Sequence, residues 1–436
     1  MNKNLLLLLA LALLLAACSP AVKEDAAAAP DAVPAVLVAE NVSARAITKG
    51  PGHHWFGYYD KLEFDPSGRY VLGMETAFEN RSPEPDDVIK VGMVDLEDGD
   101  RWIELGESRA WNWQQGCMLQ FLPGSASQVI WNDREGEQFV SHVMDIHTRE
   151  KRTLPFPVYT LSPDGKTALS VDFERINDMR PGYGYAGPPD PFAEQIAPED
   201  GGIYLGDLIS GEKKLIVSLA QMNRRPLPAD DEDPAFQDFY TGKNWFNHLL
   251  FSPDGSRFIF LHRWKASSKS GVGGFGTLMY TSDLEGKDIR LVDASGFTSH
   301  FIWKDADADS ILAWTRHASH GDGFYLFGDN DSQAARIIGK DVMTRNGHCT
   351  YLPGNEWILN DTYPDDKRLQ HVYLYHLATG RRIPLADCLL DPKYKGEWRV
   401  DTHPRFSPDG TKVVIDCPDG AAGRQLWLLE IAGAMR

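Results

Sequence analysis

The stretch Phe251-Ser-Pro-Asp-Gly255 is a turn signal that recurs almost unchanged as Phe406-Ser-Pro-Asp-Gly410. Proline fixes φ at the first corner of a turn, and glycine accepts the positive φ required at its end. Five related signals are Phe64-Asp-Pro-Ser-Gly68, Phe121-Leu-Pro-Gly124, Leu161-Ser-Pro-Asp-Gly165, Trp303-Lys-Asp-Ala-Asp307 and Tyr351-Leu-Pro-Gly-Asn355. The sequence therefore carries seven copies of one turn, which indicates a repeated structural unit.

Each turn is followed by a short β-rich run, such as 258–261 or 412–415, and then by a second turn signal. Repeat spacings of roughly 40 to 57 residues suit a four-stranded blade. The pattern predicts an all-β fold, a seven-bladed β-propeller with four-stranded blades over residues 41–436. The interval between the third and fourth turns is longer, and its segments 178–200 and 224–240 predict long loops on one face.

The N-terminus has the features of an export signal. Lys3 precedes the apolar run Leu5–Leu15, and Leu15-Ala-Ala-Cys18 matches a lipobox, so residues 1–18 predict a lipoprotein signal peptide with Cys18 as the lipidated residue. An ordinary signal peptide with a chance cysteine is the alternative. Ser19 favours the outer membrane, and the Ala/Pro-rich residues 19–40 predict a flexible tether. We expect a monomer held at the cell envelope by its lipid anchor alone.

The composition limits the classes of function. Hydrophobic residues make up 42% of the chain and aromatic residues 11%, which is enough for a large core, and the net charge of −18 argues against nucleic-acid binding. The cysteines of the mature chain match no zinc signature, and one disulfide is compatible with an oxidising envelope. They are Cys117, Cys349, Cys388 and Cys417.

Four histidines share one position in the repeat. Each stands three residues before the aromatic residue of its turn: His248, His300, His348 and His403. Innermost strands line the central channel of a propeller, and equal offsets in a strand give equal facing, so these side chains should converge at one mouth. Converging neutral imidazoles bind a divalent metal or supply a general base. The alternative is a structural histidine that forms hydrogen bonds between blades. The first three blades have Lys61, Met118 and Val158 at this position.

Other polar residues are candidates for sugar binding or catalysis. Amides, aromatic residues and guanidinium groups are common contacts of glycans and of uronate carboxylates, and a phenol can donate a proton. Each candidate also has a structural alternative. Segment 52–61 could be the strand that closes the ring, and the amides and Arg134 could stabilise turns and loops. Arg263 could be a structural arginine, and Tyr183 and Tyr185 could pack within their loop. The substrate-binding candidates are His53, His54, Tyr59, Gln115, Asn132, Arg134 and Arg405, and the catalytic candidates beside His248 are Arg263 and Tyr185, with Tyr183 as a second phenol.

The chain resembles the oligogalacturonate lyase family at His403-Pro-Arg-Phe-Ser-Pro-Asp-Gly410, at Ser299-His300-Phe-Ile-Trp303 and at the strand of His348. Members are seven-bladed propellers that cleave uronic-acid oligosaccharides by β-elimination. The resemblance implies a divalent metal, manganese or calcium, bound by His300, His348, Asp401 and His403. Asp401 stands where the family has a further histidine. The resemblance also implies that His248 is the catalytic base, and it places His54 where the family has a histidine followed by Tyr-Gln-Lys.

The sequence departs from the family at its catalytic arginine, where this chain has Gly201-Gly202. Arg263 or Arg180 could replace that charge. The ulvan-cleaving relatives have histidines where this chain has Asn112 and Asn132. The sequence therefore predicts a polysaccharide lyase whose partner is a uronic-acid-containing glycan. The alternatives are a glycan-binding propeller without catalysis and a protein-interaction propeller of the kind found in the Tol system.

Overall fold

The chain folds into seven antiparallel sheets that follow one another along the sequence. In the computed structural model the described residues are 35–228, 236, 238–265, 274–304, 307–329 and 331–435. The predicted signal peptide 1–18 with Cys18, and residues 19–34 of the predicted tether, lie outside them. Residues from Ala35 onwards form one unit. Six sheets have four strands and one has five, which confirms the seven-bladed β-propeller.

The strands are numbered in chain order. Two short strands come first, β1 (Val36–Val38) and β2 (Ser43–Ala46). The first blade contains β3 (His53–Trp55), β4 (Tyr70–Thr76), β5 (Ile89–Asp95) and β6 (Arg101–Ser108). The second contains β7 (Gln120–Phe121), β8 (Gln128–Glu135), β9 (Gln138–Asp145) and β10 (Lys151–Leu154). The third contains β11 (Thr160–Leu161), β12 (Thr167–Val171), β13 (Gly202–Asp207) and β14 (Lys213–Ser218).

The remaining blades repeat the same order. The fourth contains β15 (Lys243–Phe251), β16 (Arg257–Lys265), β17 (Gly276–Asp283) and β18 (Arg290–Asp293). The fifth contains β19 (Thr298–Lys304), β20 (Asp307–His317), β21 (Gly321–Gly328) and β22 (Asp331–Ile338). The sixth contains β23 (Thr350–Tyr351), β24 (Trp357–Asn360), β25 (Leu369–His376) and β26 (Arg382–Leu389). The seventh contains β27 (Arg405–Phe406), β28 (Lys412–Pro418) and β29 (Arg424–Glu430).

The N-terminal strands close the ring. Strand β2 pairs with β29 and completes the seventh blade, and β1 pairs with β26 and adds a fifth strand to the sixth. The tether predicted to end at residue 40 therefore becomes ordered strand earlier, at Val36, because the Val-Leu-Val run can pair with an exposed sheet edge. The segment 52–61 is not the ring-closing strand, since β3 is the inner strand of the first blade.

The repeated turn is stabilised by its own side chains. Ser252 donates from its hydroxyl to Asp254 at 2.6 Å and accepts from the Arg257 backbone N–H at 3.0 Å, while Gly255 has φ of 72°. The Ser162 and Ser407 turns contain the same bonds. The predicted turn 303–307 includes residues 305 and 306, which lie outside the described part of the chain.

Two short helices lie in the long third repeat, α1 (Phe173–Met179) and α2 (Leu219–Asn223), and 3-10 turns occur at Gly396–Trp398 and Gly420–Ala422. In α1, buried Arg175 donates to Asp190 and to the backbone oxygens of Asn244 and Gln195, at 2.6 to 2.8 Å. This guanidinium ties the loop 180–200 to β15. No helix among the described residues is both long and apolar enough to cross a bilayer. The four mature-chain cysteines are buried and unpaired.

Candidate active site

The structure brings the four repeat histidines together. The ring centres of His300 and His348 are 4.1 Å apart, and those of His348 and His403 are 4.2 Å apart. His248 joins them through Tyr58, whose ring centre is 5.1 Å from those of both His248 and His403. All four are between 2% and 6% exposed. The equal offset of these residues therefore produces one buried cluster.

Backbone irregularities aim these side chains inward. The β15–β16 pairing shifts register between Asn247 and Leu250, and the β19–β20 pairing shifts between Thr298 and Phe301. His248 and His403 have φ of 54° and 40°, in the left-handed region that a histidine seldom adopts. Non-glycine residues in that region cluster at functional sites, where the surrounding fold stabilises them.

Three of the four predicted metal ligands form a compact group of donor atoms. One atom each from His348, Asp401 and His403 lies within 4.8 Å of the other two. The Nε2 atoms of His348 and His403 and the Oδ1 atom of Asp401 are buried and make no hydrogen bond within the described protein. Buried polar atoms are normally satisfied, so these three atoms without a hydrogen bond, on residues whose ligand atoms lie close together, fit a divalent cation. Two imidazoles favour a transition metal over calcium, which prefers oxygen ligands.

Asp361 orients the two histidines of this group through hydrogen bonds. Both of its carboxylate oxygens lie 3.0 Å from Nδ1 of His348, and the backbone N–H of His403 donates to it at 3.2 Å. Burial alone would raise the pKa of Asp361, but its electrostatic interaction with His348 and its hydrogen bonds with His348 and Thr402 lower it below its ordinary value. With Nδ1 engaged by a carboxylate, Nε2 of His348 is left to bind a metal.

His300 lies beside the group rather than in it. Its Nδ1 atom is 3.0 Å from the Asn346 amide oxygen, and its Nε2 atom is 3.5 Å from the Tyr363 hydroxyl. Burial lowers the pKa values of both His300 and His403 well below their ordinary value, so both rings are neutral at pH 7. The structure thus supports three of the predicted ligands by geometry and leaves His300 as a neighbour.

The segment between β3 and the first turn enters the channel. Tyr58 lies in it and stacks on His248 with an angle of 13° between the rings. Tyr59 donates to the backbone oxygen of Phe301 at 2.8 Å and accepts from its N–H at 3.0 Å. The predicted substrate contact of Tyr59 is therefore replaced by a structural contact, because both bonds of its hydroxyl go to the fifth blade.

His248 is buried among polar side chains. Its Nδ1 atom lies 3.4 Å from the Gln115 amide nitrogen and 3.5 Å from the Tyr159 hydroxyl, while Nε2 lies 3.5 Å from the Tyr58 hydroxyl. Burial, together with the charges of Arg263 and Arg180, lowers its pKa well below the ordinary value. Gln115, predicted to bind substrate, instead contacts this ring and can orient it.

Tyr183, and not Tyr185, is the phenol at this site. Its ring is 5.6 Å from that of His248, and its hydroxyl accepts from Arg399 at 2.8 Å. Burial alone would raise the pKa of Tyr183, but Arg399 and Arg180 outweigh that effect and lower it. Tyr185 is stacked on Phe173 and accepts from Asn132, and burial raises its pKa well above the ordinary value. Tyr185 is thus a packing residue.

Arg263 and Arg180 lie next to His248. Arg263 is 2% exposed, donates to the Asn247 side chain at 3.0 Å, and has a buried Nε atom without a partner. The Nε and Nη1 atoms of Arg180 are likewise buried and unpartnered. Burial and the neighbouring Arg180 charge lower the pKa of Arg263 to about 9. Among the described residues, neither arginine forms an ion pair with a carboxylate.

The other predicted sugar contacts have structural roles. Asn132 bonds to Val158 through both amide atoms at 2.7 and 2.8 Å, and so joins two blades. His54 contacts Gln425 at 3.1 Å, and His53 lies 3.5 Å from Glu79. Arg134 donates to the backbone oxygen of Pro85 at 2.6 Å. Asn132, His54 and Arg134 thus have protein partners that sequence spacing could not show, whereas the buried Nδ1 atom of His53 makes no hydrogen bond with a described residue.

Arg405 is a further correction to the predicted substrate contacts. It donates to Glu63 at 3.0 Å through two nitrogens and to Asp416 at 2.8 Å, and all three side chains are at most 4% exposed. Burial raises the pKa of Glu63 to about 7 despite the arginine. The guanidinium therefore neutralises two buried carboxylates that join the first and seventh blades.

Replacing Arg405 with methionine is expected to lower the free energy of unfolding by about 3–5 kcal/mol, because Glu63 and Asp416 would stay buried without their cation. Chemical denaturation measures this loss. Exposed Arg381 provides the matched control, and Arg381→Met should change stability by about 0.5 kcal/mol or less. Unchanged stability together with weaker glycan binding in Arg405→Met would return Arg405 to the substrate site.

Several site residues escaped the sequence reasoning, and they share a location in connections between strands. Tyr58 belongs to the quoted segment 52–61, but the cluster around it could not be foreseen. Asp361 follows β24 directly, which was its only local signal. The residues missed in this way are Tyr58, Tyr159, Asp361, Tyr363 and Arg399.

Two solved structures of oligogalacturonate lyases share this propeller. The enzyme from Vibrio parahaemolyticus is 12% identical with a TM-score of 0.60, and the match covers 92% of this chain and 99% of that one. An oligogalacturonate lyase in complex with manganese is 15% identical with a TM-score of 0.60, covering 89% and 92%. TolB from Acinetobacter baumannii is 14% identical over 74% and 64%, with a TM-score of 0.40, too low to support an inference. No family model and no curated protein match the sequence. The likeness to the lyases is one of fold.

Proposed function

We propose that this protein is a metal-assisted polysaccharide lyase that cleaves uronic-acid-containing glycans by β-elimination. The observation that carries the proposal is the set of three orphaned buried donor atoms on His348, Asp401 and His403, close to a neutral His248. A divalent cation of the manganese type, held by these residues, would neutralise the uronate carboxylate and acidify the adjacent C–H group. The manganese-bound lyase of the same fold supports this choice of metal.

The chain's own residues can supply the proton transfers. His248 accepts the proton from the carbon next to the carboxylate, and the electron pair left behind forms the carbon–carbon double bond. The bond from the neighbouring carbon to the glycosidic oxygen breaks, and that oxygen takes a proton. Tyr183 is the candidate donor, because Arg399 and Arg180 lower the pKa of its phenol. Gln115 and Tyr159 contact Nδ1 of the His248 ring, and the Tyr159 hydroxyl also accepts from the His248 backbone N–H, so both residues can hold His248 in place.

The direct test is formation of unsaturated uronate, followed by its ultraviolet absorbance. The purified full chain with added Mn²⁺ should produce this band from pectic, ulvan or alginate fragments. The same fragments with their uronates reduced to neutral sugars should give none, because the carboxylate that acidifies the C–H group is gone. Binding of the acidic fragments without cleavage would replace the lyase by a glycan-binding propeller. If the protein neither binds nor cleaves the acidic fragments, the proposal is refuted for these substrates.

For the location, we propose a monomer that is anchored in the outer membrane through Cys18 and is accessible to glycans at the cell envelope. This proposal rests on the lipobox and on Ser19. Metabolic labelling with a radioactive fatty acid tests it, because Cys18→Ser should abolish incorporation.

A further inference from the structure

The guanidinium groups of the buried Arg263 and the partly buried Arg180 share one aromatic ring beside the proposed base. The central carbon of Arg180 is 4.8 Å from the ring centre of Phe275, and that of Arg263 is 4.9 Å from the same centre. The Arg180 cation also lies 4.3 Å from the ring of Tyr183. The ring of Phe275 thus stabilises both cations and that of Tyr183 stabilises Arg180, but an aromatic ring does not neutralise a full charge.

Without a bound anion, this pair of arginines lowers the stability of the folded protein. Each arginine keeps buried N–H groups without an acceptor, and the charge of Arg180 helps to lower the pKa of Arg263. Buried charges are normally paired, and buried donors are normally bonded. The third guanidinium nearby, Arg399, has its carboxylate in Asp401 at 2.8 Å, whereas no described carboxylate forms an ion pair with Arg180 or Arg263. In a chain of net charge −18, two adjacent cations left without a carboxylate indicate an anion site.

We infer that Arg180 and Arg263 hold a second acidic group of the glycan, separate from the uronate at the metal group. The inference rests on the proposed function in taking the ligand to be an acidic glycan. The ring of Tyr183, 4.3 Å from Arg180 and 5.6 Å from the ring of His248, connects the arginine pair to the proposed base, and Tyr58 connects that base to His403. The preferred substrate therefore carries a second acidic group in addition to the uronate at the metal group. The second group is a carboxylate or a sulfate ester, since a guanidinium binds both as a two-oxygen acceptor.

Sulfate binding without added metal tests the anion site independently of cleavage. Sulfate should raise the melting temperature of the full chain above that in chloride at equal ionic strength. Arg263→Gln and Arg180→Gln should each weaken sulfate binding at least tenfold, since each removes charged hydrogen bonds. Arg345 is exposed and forms no ion pair with a described residue, so Arg345→Gln should bind sulfate like the wild type.

The same variants separate a ligand site from a structural one. An anion site predicts that Arg263→Gln without sulfate melts at the wild-type temperature or above it, because one of two repelling cations is gone. A lower melting temperature with unchanged sulfate affinity would overturn the inference. So would sulfate affinities within twofold of the wild type in both variants. If the wild-type protein cleaves no glycan but binds sulfate in a way that depends on both arginines, the proposed lyase activity is refuted and the anion site is retained.

Two oligosaccharide arms identify the second acidic group. The first compares a diuronate with the same disaccharide in which one uronate is reduced. The second compares a uronate linked to a sulfated sugar with its desulfated form. In each comparison, the affinity for the more acidic oligosaccharide should exceed that for its partner only if the arginines bind the group that differs. The comparison in which Arg263→Gln removes this difference therefore identifies the second acidic group. If Arg263→Gln changes neither difference, the arginine pair does not bind the glycan and the inference fails.

Discussion

Replacing His248 with asparagine is expected to lower kcat for glycan cleavage by about 10²–10⁴-fold, the usual contribution of a positioned general base. Asparagine is chosen because His248 has φ of 54°, and asparagine tolerates the left-handed region better than alanine does. The substitution therefore removes the imidazole while sparing the backbone of β15. The ultraviolet product assay at saturating substrate measures kcat, and manganese affinity should remain within twofold of the wild type.

His376→Asn is the matched control, because His376 is half-buried at the end of β25, in contact with Thr379. It should cleave like the wild type. The pH profile adds a second readout, because the pKa of His248 is held well below 6.5 by burial and by Arg263 and Arg180. The acidic limb of kcat/KM should therefore lie below pH 6.5. If His248→Asn keeps more than a tenth of the activity with the same limb, another group is the base.

The fold could be predicted from the sequence because its signal is local and repeated. The Ser252 turn needs only residues within five positions of one another for its hydrogen bonds, so its sequence and its geometry stay together. Seven such turns determine the number of blades. The histidine cluster could be predicted for the same reason, since equal offsets before each turn place His300 and His348 on the same channel.

The rest of the site depends on contacts between distant parts of the chain. Tyr183 and Tyr185 are two residues apart in a loop, yet one faces His248 and the other packs on Phe173. Nothing in their local sequence distinguishes them, because loop side chains have no fixed period. The sequence predicts a substrate contact for Arg405, whereas Glu63, more than three hundred residues away, determines its orientation.

The candidate metal group supports the second prediction. His348→Ala removes one of its three proposed ligands and should abolish stoichiometric manganese binding and, with it, cleavage. Asp361→Asn keeps the shape but weakens the acceptor behind Nδ1 of His348, so manganese affinity should fall by about 10–100-fold, as for other second-layer partners of metal ligands. Isothermal titration with Mn²⁺ measures both values.

The sixth blade contains a second histidine–aspartate pair that serves as a control for His348 and Asp361. His371 contacts Asp387 at 2.7 Å, so it is a second histidine–aspartate pair that stands apart from the orphaned donors. Asp387→Asn should leave manganese affinity unchanged. If Asp361→Asn and Asp387→Asn weaken binding equally, the loss reflects general destabilisation of the blade. If His348→Ala still binds one equivalent of manganese tightly, the ion is held elsewhere, because Asp401 and His403 alone cannot replace the lost imidazole in a three-ligand site.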